Sequence, residues 1–183
     1  MSDKKIISFL NRNSNPHNDK VDFRTPPYLF HWIEKNFGII DYDAACIDGL
    51  NNLATALRLE DEWPKGSIVY SNPPFDSNSI EKWFVKGEYH AANGGIHIMC
   101  IPNKITQVFF NKMITRFDEI VFLGGRVNFI SPYAAKGGAS MSGTLITRQG
   151  GFTKHHDTPI IRGVLLSDMK KEYKMNTQHG VNQ

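Results

Sequence analysis

The chain has 183 residues, 40% of them hydrophobic and 21% charged, the profile of one folded domain around a single core. Its mean hydropathy is slightly negative, and no apolar run approaches the roughly 18 residues that a bilayer span needs. A membrane protein, a disulfide-dense secreted scaffold and a disordered tail are excluded, and Cys46 and Cys100, each beside apolar residues, are expected as reduced cytoplasmic thiols. The net charge of +3 is uneven: residues 1–101 hold 10 Lys+Arg against 13 Asp+Glu, and residues 102–183 hold 11 against 5. Such a split suits a cationic small molecule in one half and a polyanion in the other, and also ordinary drift of surface charge.

Residues 1–10 are charged first and only briefly apolar, so no signal peptide is expected. Residues 1–22, rich in Asn and Lys, read as a flexible lead-in to a single domain over 23–167. Thr25-Pro26-Pro27 has the form of a helix start, with Thr as N-cap and Pro in the first turn. Leu29, Ile33 and Phe37 follow at four-residue spacing, predicting a helix over 26–36 closed by Gly38. Residues 39–42 are strand-like, and Leu50, Leu53, Ala54 and Leu57 recur at helical spacing. Residues 67–70 predict a strand that runs into Asn72-Pro73-Pro74-Phe75. Polar residues at 76–79 then cap a helix presenting Ile80, Trp83 and Phe84 on one face. Asn93-Gly94-Gly95 turns the chain into the apolar run 96–101, interrupted by His97, of the kind found in buried parallel strands. A helix is expected over 106–117, using Phe110, Ile114 and Phe117. Further strands are expected over 119–123, 143–147 and 160–166, before a polar tail at 168–183. Alternating helices and strands predict an α/β sheet with parallel crossovers.

The chemistry concentrates at Asn72-Pro73-Pro74-Phe75. In open α/β sheets, ligands sit beyond the carboxyl ends of strands, where this tetrapeptide falls. Each proline fixes φ and lacks an N–H, leaving rigidly aimed carbonyls beside the Asn oxygen and an aromatic face. That set suits a planar group bearing an amino substituent, with two donors and a π-face. An exocyclic amine is a poor nucleophile because its lone pair is delocalised into the ring. Two acceptors on its hydrogens favour the pyramidal, positively charged nitrogen of a transition state. With a sulfonium electrophile the leaving group is neutral, so no metal or strong base is needed, and positioning remains the main task. At average composition an Asn-Pro-Pro-aromatic sequence arises by chance in on the order of one in 500 chains of this length.

With these residues in place, the chain resembles the phage-type DNA N6-adenine methyltransferases, a Dam-like family. The resemblance spans residues 23–147. It runs from Thr25-Pro26 through Asp43-Ala44-Ala45-Cys46 and Asn72-Pro73-Pro74-Phe75 to Pro102-Asn103 and Gly125-Arg126-Val127-Asn128-Phe129. It implies an abridged Rossmann-like S-adenosylmethionine-dependent methyltransferase sheet with flanking helices. It also implies S-adenosylmethionine as cofactor, adenine flipped from double-stranded DNA as target, and a cytoplasmic setting in a bacterial or phage-infected cell. By the same resemblance Asn72, Pro73 and Pro74 hold the target amine and Phe75 stacks on the base. Asp43 and Ala44 at the end of the first strand, Thr25 and Pro26 before the first helix, and Asn72 contact the cofactor.

Two departures from that family pattern stand out. No G-x-G turn follows the first strand, Asp48-Gly49 being nearest, and only 28 residues lie between Asp43 and Asn72. That is too few for two further βα units, so the core is expected to be abridged. Glu60 or Asp61 is the expected ribose contact, unless both belong to a solvated acidic patch before Trp63-Pro64.

Lys104, Arg126 and Lys136 are candidates for phosphate contact, the last two beside Gly-rich turns that an ordinary hairpin would also explain. No metal site is expected: Asp41-Tyr42-Asp43 lacks the glycine and later ligands of a calcium loop, and His155-His156 has no companions at ligand spacing. Membrane contact is not expected, and the sequence indicates no oligomeric state. Two other readings stay open. One is methylation of RNA adenine or a protein glutamine amide by the same chemistry. The other is a nucleic-acid-binding module with an inactive pocket.

Overall fold

Strands form where apolar runs can be covered on both faces, and seven of them make one sheet in the computed structural model of the chain. It describes residues 23–45, 55–104, 106–130, 140–151 and 158–179; the lead-in at 1–22 and the pairs Asp48-Gly49 and His155-His156 lie outside these. The strands are β1 (Tyr42–Ala44), β2 (Thr55–Leu57), β3 (Ile68–Ser71), β4 (Ile96–Pro102), β5 (Glu119–Gly124), β8 (Thr144–Gln149) and β9 (Ile160–Leu165), in the spatial order β2-β1-β3-β4-β8-β5-β9. All pairings are parallel except those of β8, which lies antiparallel between β4 and β5. The short strands β6 (Arg126–Asn128) and β7 (Ser140–Ser142) make a separate antiparallel pair.

Helices cover both faces. On one side α1 (Pro27–Phe37) and α4 (Leu166–His179) share a core with Tyr70, Ile98, Cys100, Val121 and Ile146. On the other, α2 (Ser77–Ala92) and α3 (Val108–Ile114) pack through Ile80, Phe84 and Phe110 against Val69, Met99, Ile120 and Leu145. Glu119 on β5 takes Arg148 of β8 at 3.1 Å and Arg162 of β9 at 2.6 Å, tying three strands by charge. No described helix is long and apolar enough to cross a membrane.

Several expectations shift. The N-cap of α1 is Pro26, and Pro27 opens the helix; the Thr25 hydroxyl is spent elsewhere. Leu57, expected at helical spacing, lies on β2, where pairing with β1 replaces any helical face. The strand expected over 39–42 begins at Tyr42, with Ile39 exposed. The helix expected over 106–117 is the shorter α3, although Phe117 is still buried. The described part of the segment expected as a polar tail, 168–179, belongs to the helix α4, which buries Leu166 and Met169 and pairs Lys35 of α1 with Glu172. The abridgement is concrete: ten residues, 58–67, carry the chain from β2 across β1 to β3 without a helix.

The topology fixes where a ligand fits. From β1 the chain moves outward to β2, and from β3 it moves the other way to β4. The strand order thus reverses between β1 and β3, and the crevice beyond their carboxyl ends is the ligand position in such sheets.

Candidate active site

Asn72 follows the last residue of β3 and opens the crevice. Its Nδ2 donates to the carbonyl of Phe23 at 2.7 Å. Its Oδ1 is buried and has no hydrogen-bond partner among the described residues. A buried acceptor left open costs free energy on the order of 1–3 kcal/mol unless something fills it, so this oxygen marks a place for a donor. Pro73 is buried and Pro74 half-buried. The ring of Phe75 meets Phe129 edge-on, with centroids 5.7 Å apart, and its carbonyl accepts from Lys104 Nζ at 2.5 Å. Asp76 then caps α2 by accepting from Ser79 N at 2.8 Å. Burial works against its charge, but hydrogen bonds from Ser79 and the backbone outweigh that and hold its carboxyl below the usual range.

The end of β1 supplies the facing wall. Asp43 is buried and stands opposite Tyr70 in the parallel register, and Ala44 stands opposite Ser71. Ala45 then adopts φ 64°, a left-handed conformation unusual for a residue with a Cβ. Thr25 is buried, and its hydroxyl shares a hydrogen bond of 2.6 Å with the Tyr70 hydroxyl. Burial pushes the Tyr70 phenol well above its usual range, so it stays neutral. Segment 23–26, the end of β1 and the end of β3 therefore meet at one crevice.

Behind the motif lies a buried polar chain that the sequence reading missed. Gln149 Nε2 donates to the carbonyl of Phe84 at 3.2 Å, so its Oε1 accepts from His97 Nδ1 at 3.0 Å. His97 Nε2 is then bare and accepts from the Ser71 hydroxyl at 2.8 Å. Burial lowers the pKa of His97 from 6.5 to about 3, keeping the ring neutral. An added Cβ on Gly87 would lie 1.9 Å from His97 Nδ1, so α2 carries glycine where it crosses this chain. The one sequence signal was His97 itself, the polar interruption of an apolar strand.

The remaining candidates separate. Arg126 is exposed on β6, opposite Ser142, and Lys136 lies outside the described residues. Lys104 is part-buried and committed to Phe75. Asp61 Oδ2 accepts from Arg58 N at 2.7 Å and so closes its own turn, and of the two expected ribose contacts Glu60 is the exposed one. Among the described residues no group of three or more His, Cys, Asp or Glu could hold a metal ion.

Two solved structures are similar in outline. One is a Pyrococcus horikoshii protein assigned as an RNA methyltransferase, with TM-score 0.49 and 14% identity, covering 80% of this chain and 97% of that one. The other, from Listeria monocytogenes and assigned as a class I S-adenosylmethionine-dependent methyltransferase, gives 0.47 and 12%, covering 90% and 74%. No curated protein matches. The family profile of DNA N-6-adenine-methyltransferase (Dam) matches residues 12–148, well over half the chain. The chain therefore belongs to the Dam family and is a methyltransferase whose cofactor is S-adenosylmethionine.

Proposed function

We propose that this protein methylates the exocyclic N6 amine of adenine in double-stranded DNA, with the base flipped into a pocket built on Asn72, Pro73, Pro74 and Phe75. The observation that carries the reading is the buried, unpartnered Oδ1 of Asn72 at the carboxyl end of β3. An amino group brings the donor that this atom lacks. The rigid carbonyl of Pro73 takes the second amine hydrogen, and the Phe75 ring, steadied by Phe129 and by Lys104 on its carbonyl, stacks on the base.

Bound S-adenosylmethionine supplies a methyl group on sulfonium sulfur, which leaves as a neutral thioether. The residues fit that group: β1 ends at the switch point, and the buried Asp43 carboxylate there complements a cation. Thr25 and Pro26 close the crevice from the segment before α1, and Glu60 is the ribose contact. The nitrogen gains the methyl group and loses one proton to water, so the protein has no proton to hold at pH 7. Its contribution is to bend the amine out of the ring plane and stabilise the charge growing there.

Supplying labelled cofactor with separate pools of DNA, RNA and protein tests the reading. Label is expected on DNA, at N6 of adenine, and Asn72→Ala is expected to lower the rate by about 10²–10³. Label on RNA or protein instead, or near-normal transfer by Asn72→Ala, contradicts it.

A further inference from the structure

We infer that the main-chain carbonyl of Phe23 is a positioning group for methyl transfer: it sets the Asn72 amide so that the oxygen, and not the nitrogen, meets the amine. The inference rests on the amine-holding role proposed for Asn72. An asparagine amide presents two donors on one side and an acceptor on the other. Turned by half a rotation about its last torsion, it would offer N–H groups to an amine that brings N–H groups of its own, and would hold nothing. The 2.7 Å bond from Nδ2 to Phe23 O selects one orientation, and the rotated one would set two oxygens against each other.

The carbonyl is itself held in place. Arg24 pairs with Ile130 through both backbone bonds, at 2.8 and 3.0 Å. Thr25 bonds to Tyr70 of β3, two residues before Asn72. Three consecutive residues, 23 to 25, are thus tied to β3 and to the chain just after β6. The first motif position consequently needs a donor and an acceptor side by side. Aspartate would keep an oxygen for the amine but would place its second oxygen against the Phe23 carbonyl.

Asn72→Asp tests this beside Asn72→Ala. If acceptance alone mattered, aspartate would far outperform alanine. The expected result is that kcat falls about 10²-fold or more in both. In cofactor-free Asn72→Asp, amide exchange at Arg24 and Ile130 should speed by at least about tenfold while that of β4 is unchanged. A general loss of structure would instead move β4 as well. Retention of more than a tenth of the wild-type kcat, or unchanged exchange at Arg24 and Ile130, overturns the inference. Should the variant fail to fold, the wild-type protein still decides: one Asn72 side-chain N–H should be protected from solvent and the other open, and equal fast exchange of both overturns it. A wild-type protein that methylates no DNA sinks the proposed function, whereas the exchange and side-chain readouts bear on Phe23 alone.

Discussion

Thr25 and Tyr70 are separated by 45 positions, and their hydroxyls meet at 2.6 Å where both residues are buried. Tyr70 also bonds to the Cys100 thiol, so it is Thr25 that would be stranded without its partner, and a stranded buried hydroxyl costs more than the bond contributes. Thr25→Val and Tyr70→Phe are each expected to lower stability by about 1–2 kcal/mol. The double variant, with both polar groups gone, should lose about 1 kcal/mol less than the two singles added. Urea unfolding of the four proteins checks this, and strictly additive losses would show that the two hydroxyls do not depend on each other. This pair also shows what a sequence hides at this scale. Asn72-Pro73-Pro74-Phe75 is legible because its chemistry is contiguous. Thr25 reads as a helix cap and, by resemblance, as a cofactor contact, but not as the partner of Tyr70, since that hydroxyl is far along the chain. Phe23 acts through a carbonyl that every residue type possesses, so no letter could reveal it. Ala45 carries a backbone conformation for which glycine is the usual signal.

Elements were legible where burial is symmetric or periodic. β4 is apolar on both faces and was read almost whole, and α2 showed its stripe of Ile80, Trp83 and Phe84. β2 was not, because three residues of edge strand owe their conformation to the neighbouring β1 rather than to any pattern of their own. α4 looked like a tail because only Leu166 and Met169 among its described residues are buried. The contact between α2 and β4 has a consequence in acid. Folding holds His97 neutral with a pKa of about 3, against 6.5 for a free ring. Below pH 6.5 the unfolded chain therefore binds a proton that the folded chain refuses. Stability from this residue is complete above about pH 6.5 and is lost as the pH falls toward 3, by up to about 1.4 kcal/mol per unit. His97→Gln should be less stable at pH 7, yet its loss between pH 7 and 4.5 should be smaller by about 2–3 kcal/mol. His90, also lowered by burial, remains in both proteins. Parallel pH curves for the two proteins would refute the assignment.

For the whole molecule, the sequence divided charge into an acidic half and a basic half, and the fold commits part of the basic half to internal partners. Arg148 and Arg162 turn inward to Glu119, Arg116 pairs with Glu88, and Lys104 holds the Phe75 carbonyl. Those four cations are therefore tied to partners within the fold. Arg126 differs: it is exposed on β6, which begins just past the carboxyl end of β5. β7 returns to the same end of the sheet, where the Asn103 N–H bonds to the Gly143 carbonyl at 2.6 Å. The β6–β7 pair thus rises beside the crevice, and Ile130, just beyond it, is joined to the segment that holds Asn72. If DNA lies over that end, Arg126 meets phosphate, and neutralising one phosphate releases counterions in proportion. Arg126→Ala should weaken DNA binding about equally on unrelated sequences. It should also flatten the plot of log Kd against log salt concentration by about 0.9, measured between roughly 50 and 200 mM. Arg116→Ala removes the same charge from a residue already paired with Glu88, so its slope should match that of the wild type. An unchanged slope for Arg126→Ala, or an equal change for both, would place the DNA elsewhere on the molecule.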